Sequence, residues 1–239
     1  MIGTILNAAG ILLGGGLGLT LSRQLSSARQ IALKGLLGVF TVYVGLRLTW
    51  MNVGGGLGAT ARQLLIVLLS LMLGRVAGRL LHLQKFLNGL GQYAKERISQ
   101  ATPSSPQRFA EGFITCSLLF CVGPMAILGA IQDGLAGQWQ TLGIKAVMDG
   151  LATMAFVPTF GGGVLLSVIP VVAYQGTVTL CAQFLAPFLR DHSLLESVNA
   201  TGGLLVFCVA LIILELRKVE LADYLPSLVF APLLTWIWR

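Results

Sequence analysis

Three charged residues stand among apolar neighbours in the second half of this sequence: Asp133, Lys145 and Asp149. An ionised side chain in an apolar segment is costly, so such residues are candidates for ion or proton paths. Lys145 and Asp149 are four residues apart, which on a helix puts them on one face and lets them pair. With Asp133 and its neutral neighbour Gln132 they read as a proton or cation site, in which protonation of Asp149 would release Lys145. The competing reading is a neutralised structural bridge, with Asp133 in a loop. Asn7, Gln175 and Asn199 form a wider neutral set. Amides in apolar helices either line a pathway or bond one helix to another.

A second group of positions acts through the backbone. Gly123-Pro124, Pro158 and Gly161-Gly162-Gly163 interrupt apolar runs. A helix unwound there can offer carbonyls to a solute. Gly123-Pro124 reads equally as a kink, because proline removes one helical hydrogen bond. Pro158 to Gly163 reads better as a turn between helices.

Enzyme chemistry has no such foothold. The sequence holds no P-loop, no HExxH, no nucleophile elbow and no dinucleotide fingerprint in a strand-to-helix setting, so no enzyme activity and no cofactor are expected. Cys116, Cys121, Cys181 and Cys208 lie in apolar stretches without CxxC spacing, and His82 and His192 lack ligand-spaced partners. A disulfide framework and a metal site are not expected.

The elements that must carry these residues follow from composition. The chain has 239 residues, 55% hydrophobic and only 10% charged, where soluble domains carry about a quarter charged residues. Mean hydropathy is +0.83. This excludes disorder and makes a soluble domain improbable; the expectation is an all-α polytopic membrane bundle. A span needs about 20 apolar residues. Met1–Ser22 is the first, retained rather than cleaved. The second lies near Ile31 to Trp50, and the glycine-rich turn Asn52–Gly58 leads to the third, near Ala61 to Leu81. A basic amphipathic surface helix then reaches about Gln100, followed by the linker ATPSSPQ. Gly112–Gln132 is the fourth, Trp139 to Pro158 the fifth, Val164–Leu189 the sixth and Ser197–Leu214 the seventh. Tyr224–Trp238 is short for an eighth and carries Pro226 and Pro232. Seven or eight spans are expected, in three regions: 1–81, the basic segment 82–108, and 109–239.

Charge sets the orientation. The net charge is +7, but no basic stripe with interleaved aromatics suggests nucleic acid. Placing 23–34, 75–108 and 217–218 in the cytoplasm puts eleven Lys/Arg inside against three outside, with the N-terminus out. A faint internal match links Gly35-Leu-Leu-Gly-Val-Phe-Thr-Val to Gly203-Leu-Leu-Val-Phe-Cys-Val, and glycine runs occur at 14–16 and 161–163. Segments 1–3 and 6–8 would then be inverted repeats, as in many secondary transporters. Chance matching within a small apolar alphabet is the alternative. Glycine spacing at Gly14 to Gly18 and at Gly74 and Gly78 reads as close helix packing.

Several motifs carry a family resemblance. They are Ile-Gly-Thr-Ile-Leu-Asn-Ala at 2–8, Leu-Leu-Gly-Gly at 12–15 and Gly-Pro-Met-Ala-Ile-Leu-Gly-Ala-Ile-Gln-Asp-Gly-Leu at 123–135. Lys145 with Asp149-Gly150, Tyr-Gln-Gly-Thr-Val-Thr-Leu at 174–180, Thr-Gly-Gly-Leu-Leu at 201–205, Leu-Pro-Ser-Leu at 225–228 and Ala-Pro-Leu at 231–233 continue the match. Over essentially its whole length the chain resembles the YqgA/YdfK-like inner-membrane family, domain of unknown function 554. The resemblance implies a multi-pass protein of the bacterial plasma membrane, described as a transporter without an assigned substrate. Where that family's pattern has an acid after the glycine at 137, this chain has Gln138, which leaves no third carboxylate there.

The reading is a secondary transporter or channel for a small solute or ion, gated or coupled by intramembrane charges. The alternative is a non-transporting scaffold that binds lipid or a partner protein through residues 78–108. The lipid bilayer, an unidentified solute and a second copy of the chain are the expected partners; nucleic acid is not.

Overall fold

Small and polar residues share the buried helix faces of this protein with large apolar ones, while many leucines and isoleucines face outward. The computed structural model describes residues 1–20, 27–89, 93, 105–191 and 194–238. In α1 (Ile2–Thr20) the buried side is Gly3, Thr4, Asn7, Ile11, Gly14 and Gly15, while Ile5, Leu13, Leu17 and Leu19 are exposed. In α8 (Leu195–Ile213) Ser197, Asn199, Ala200, Thr201, Gly202 and Gly203 are among the buried residues. Water would reverse that arrangement. It fits lipid, where nothing drives leucines inward and small residues let backbones approach.

The other elements are α2 (Ser27–Met51), α3 (Leu57–Leu80), α4 (Ser105–Val122), α5 (Pro124–Ala136), α6 (Gln140–Phe160), a 3₁₀ stretch (Gly161–Ser167), α7 (Val168–Asp191), α9 (Leu221–Tyr224) and α10 (Ser227–Ile237). A short helical run covers 83–89. Among the described residues there is no strand. The all-α expectation therefore holds.

Among the described residues, four helical stretches are long and apolar enough to cross a membrane: Ile2–Thr20, Leu57–Leu80, Gln140–Leu189 and Leu195–Ile213. A fifth counts if α4 and α5, bent by 59° at Gly123, act as one span. The eight apolar segments of the sequence map onto these unevenly. The second and last are the shorter helices Gly35–Met51 and Leu221–Ile237, and the fifth and sixth merge into the 50-residue stretch Gln140–Leu189. That merger corrects one expectation. Pro158 lies inside the last turn of α6, not in an interhelical turn. Gly161, at φ +69°, ends α6, and the chain continues as 3₁₀ helix. Glycine at 163 lets this stretch lie against the backbone of α4, since a Cβ there would collide with the Phe109 carbonyl oxygen. The amphipathic helix expected to reach Gln100 lies largely outside the described residues, as does the start of the ATPSSPQ linker; Ser105 already begins α4.

By contact the chain forms two compact units. Unit 1 is Met1–Ser27 with Phe86–Cys181, and unit 2 is Ala28–Lys85 with Ala182–Arg239. Both draw on chain from either side of the basic segment, so division by contact and division by chain order are different divisions. In unit 1, α1 crosses α6 at backbone contact. A Cβ on Gly10 would strike the Ala146 carbonyl, and one on Gly14 the Gly150 carbonyl. In unit 2, α2 crosses α8 in the same manner, with Gly45 against Phe207 and Gly203 against Thr49. There α3 also lies on α9 and α10, with Gly74 against Ser227 and Gly78 against Asp223. The two segments of the faint internal match are thus the helices that cross in unit 2, and the two glycine runs do different jobs, a crossing in α1 and a 3₁₀ stretch after α6.

Candidate functional site

The α1–α6 crossing decides which polar groups meet. Because Gly10 and Gly14 leave no side chain between the helices, Asn7, one turn earlier on α1, comes beside Lys145 and Asp149 on α6. Lys145 Nζ donates to Asp149 Oδ2, as the four-residue spacing predicts, and both are buried. The ammonium also lies 5.7 Å from the Phe120 ring centroid, a distance at which the ring's negative face attracts a cation. Thr153 Oγ1 donates to the Asp149 backbone oxygen at 2.7 Å. The Asn7 amide also interacts with the Asp149 carboxylate.

Across from this pair, Asn7 Nδ2 donates to Gln175 Oε1 of α7 at 3.2 Å, and the Thr4 and Thr179 hydroxyls are 3.4 Å apart. Asn7 and Gln175 are both fully buried. Their remaining atoms, Asn7 Oδ1 and Gln175 Nε2, have no hydrogen-bond partner, and neither has Thr115 Oγ1 on α4. Each such buried group costs about 1–3 kcal/mol in lost solvation. An apolar cluster of Ile11, Cys116, Phe120, Val157, Phe160, Val164 and Val171 packs nearby in the same unit. The site is thus one ion pair and one incompletely satisfied amide pair within a close-packed helical unit.

Asp133 and Gln132 do not pair with Lys145. Asp133 is not in a loop but in the last turn of α5, buried. Its Oδ2 accepts the Gly3 backbone N–H at 3.0 Å and the Met1 amine at 3.0 Å. A carboxylate there satisfies an otherwise unpaired donor in the first turn of α1 and complements that helix's positive end. Gln132 Oε1 accepts the Thr141 hydroxyl at 2.6 Å, while its Nε2 is unpartnered. The proline that opens α5 sits at its first position, with Gly123 extended before it and Gly137 left-handed (φ +68°) after it. Gly123-Pro124 is therefore a full break and not a kink in one continuous helix. Asn199 belongs to unit 2, where its Nδ2 donates to Asn52 Oδ1 at 3.2 Å.

Two features escaped the sequence reading. The threonines had a usable signal: Thr4 precedes Asn7 by three residues and Thr179 follows Gln175 by four, so each continues its amide's helix face. The second is a reciprocal clasp in unit 2. Asp223 Oδ1 accepts the Gln84 backbone N–H at 2.9 Å, and Gln84 Oε1 accepts that of Ala222 at 3.0 Å. Nothing local in the sequence links residues that far apart. Among the described residues no group of three His, Cys, Asp or Glu side chains could hold a metal.

Comparison with known proteins gives relatives of full length. The chain is 25% identical to "Uncharacterized membrane protein YdfK" of Bacillus subtilis (strain 168), covering 99% of this chain and 96% of that one. It is 27% identical to "Uncharacterized protein YqgA" of Escherichia coli (strain K12), covering 100% and 97%. No solved structure matches significantly. The sequence pattern of one family, described as "Protein of unknown function (DUF554)", matches residues 2–236, and with that coverage the chain belongs to this family of unknown function.

Proposed function

We propose that the protein is a secondary transporter or channel that moves a small polar solute or ion across the bacterial plasma membrane. The observation that carries this reading is that the bonded Asn7–Gln175 amides leave one buried acceptor, Asn7 Oδ1, and one buried donor, Gln175 Nε2, without partners in the unit that holds the Lys145–Asp149 ion pair. Packing alone would favour leaving no such atoms. A passing solute that both donates and accepts hydrogen bonds would satisfy both, and the ion pair would gate or couple its movement by exchanging a proton or counter-charge. The break at Gly123-Pro124 supplies the discontinuous helix that such pathways use.

In this reading the protein does no covalent chemistry on its cargo. It is a multi-pass protein of seven or eight membrane segments with an inverted repeat, working in the bilayer as a monomer or homodimer. Residues Gln140–Leu189 would run for about 75 Å if straight, against about 30 Å of hydrocarbon, which favours more than one crossing within that stretch.

The test is flux into liposomes holding purified protein, measured for protons, cations and a panel of small solutes. The wild type is expected to support a flux that Asp149→Asn abolishes while the fold survives. Asn7→Leu combined with Gln175→Leu is expected to keep full stability and lose the flux as well. No flux from the wild type, with lipid binding intact, would replace transport by the scaffold reading.

A further inference from the structure

The C-terminal end of α8, the last turns of α3 and residues 217–224 line a half-open cavity in unit 2 that the pathway does not use. Its volume is about 470 Å³, within the size range of small-molecule sites. Arg75, Arg217, Lys218 and Glu220 give it its charge, Tyr224 gives it an aromatic face, and Cys208 and Leu211 give it an apolar wall. The single acid is engaged elsewhere: Arg79 Nη2 donates to Glu220 Oε2 at 3.4 Å. Among the described residues, Arg75, Arg217 and Lys218 have no acidic partner. Arg75 instead lies over the Tyr224 ring, 5.6 Å from its centroid, which fixes the plane of the guanidinium while leaving its N–H groups free to bond.

The backbone is shaped to bring the other two cations in. Leu216 N–H and Arg217 N–H both reach back to the Leu211 carbonyl, at 3.0 and 3.4 Å. Glu215 takes a left-handed conformation, φ +57°, that a non-glycine residue adopts at a cost. This sharp turn delivers Arg217 and Lys218 to the cavity wall directly after α8. Cations at a helix C-terminus often only complement its dipole. Here three of them, from α3 and from the segment after α8, line one cavity with an apolar side.

We propose that this cavity binds the phosphate of an anionic phospholipid, with Arg75, Arg217 and Lys218 on the headgroup and Cys208 and Leu211 along the start of the acyl region. Arginine's planar fork suits phosphate oxygens, and lysine adds a mobile point charge. The apolar wall distinguishes a lipid from a free anion, which would have no use for it.

The full-length chain in neutral detergent is titrated with phosphatidylglycerol, with phosphatidylcholine and separately with inorganic phosphate, and binding is followed by native mass spectrometry. Phosphatidylglycerol is expected to bind selectively, with affinity about fivefold lower in Arg217→Gln and again in Lys218→Gln. Lys85→Gln removes one charge from the neighbouring 83–89 run, outside the cavity, and is expected to change affinity less than twofold. Equal losses from Lys85→Gln and Arg217→Gln would overturn the site in favour of diffuse surface charge, and absence of selective binding would overturn it outright. Inorganic phosphate that binds as tightly and displaces the lipid would overturn the lipid as occupant. Circular dichroism of each variant separates lost binding from lost fold.

Discussion

Units 1 and 2 are each built around a glycine-mediated helix crossing, but their crossings carry different groups. At the α1–α6 crossing the adjoining turns hold Asn7, Lys145 and Asp149, all buried. At the α2–α8 crossing they hold Thr49, Asn52 and Asn199, whose bonds close locally: Thr49 Oγ1 donates to Gly45 and Ala200 carbonyls at 3.0 and 3.3 Å, and Asn199 donates to Asn52. The charges of unit 2 lie mainly toward helix ends, in the half-exposed Arg79–Glu220 pair and the cationic cavity. Close backbone approach is a packing device common to both units. What separates them is whether full charges and unpaired amide atoms are buried next to it, a burial that costs stability and that a function would account for.

The largest expected effect bears on that difference. Asp149→Ala leaves Lys145 buried without its partner and should destabilise the protein by about 3–5 kcal/mol in reversible unfolding from mixed micelles. Replacing both together, Lys145→Met with Asp149→Leu, should restore most of that loss, since a buried pair often does no better than apolar residues of similar volume. A double variant as unstable as the single one would show that the pair holds the fold and would remove the contrast between units.

The crossings themselves should behave alike. Gly14→Ala in unit 1 and Gly203→Ala in unit 2 each push a methyl into a facing backbone, at about 1–3 kcal/mol. Thermal denaturation that finds one of them harmless would break the equivalence. Next come the carboxylates that cap a distant helix start. Asp133→Ala should expose the Gly3 donor and Asp223→Ala the Gln84 donor, each costing about 0.5–2 kcal/mol. Hydrogen exchange should speed up first in the opening turn of α1 for the one and in 83–89 for the other. The smallest effect belongs to Arg79→Gln, which removes a pair that is more than half exposed; about 0–1 kcal/mol is expected in the same unfolding assay.

Much of the pathway layer was legible one helix at a time. The four-residue spacing of Lys145 and Asp149 predicts their pairing, and Asn7 and Gln175 stand out as amides among apolar neighbours. Their meeting was not legible, because periodicity describes one helix and says nothing of which helix lies against it. Asp133 shows the same limit. Its burial was signalled by its apolar setting, but its partner is the start of α1, 130 residues away. Charge counting assigned Arg75, Arg217 and Lys218 to the same side, yet the cavity they share depends on the turn at Glu215, which no residue type announces. Around Pro158 only part of the expectation holds: proline and three glycines usually mean a turn, but α6 runs on through Pro158, ends at the left-handed Gly161, and gives way to a 3₁₀ stretch against α4.

Water access at Asn7 tests the central claim most directly, since a packing amide stays dry and a pathway amide must meet solvent as the protein cycles. Asn7→Cys, in a background with the four native cysteines replaced by alanine, is exposed in proteoliposomes to a charged, membrane-impermeant thiol reagent, with Arg217→Cys as the exposed control. The account predicts labelling at residue 7 within the working life of the folded protein, slower than at residue 217. Complete labelling of the control with none at residue 7 would contradict it and leave the Asn7–Gln175 pair as interhelical packing.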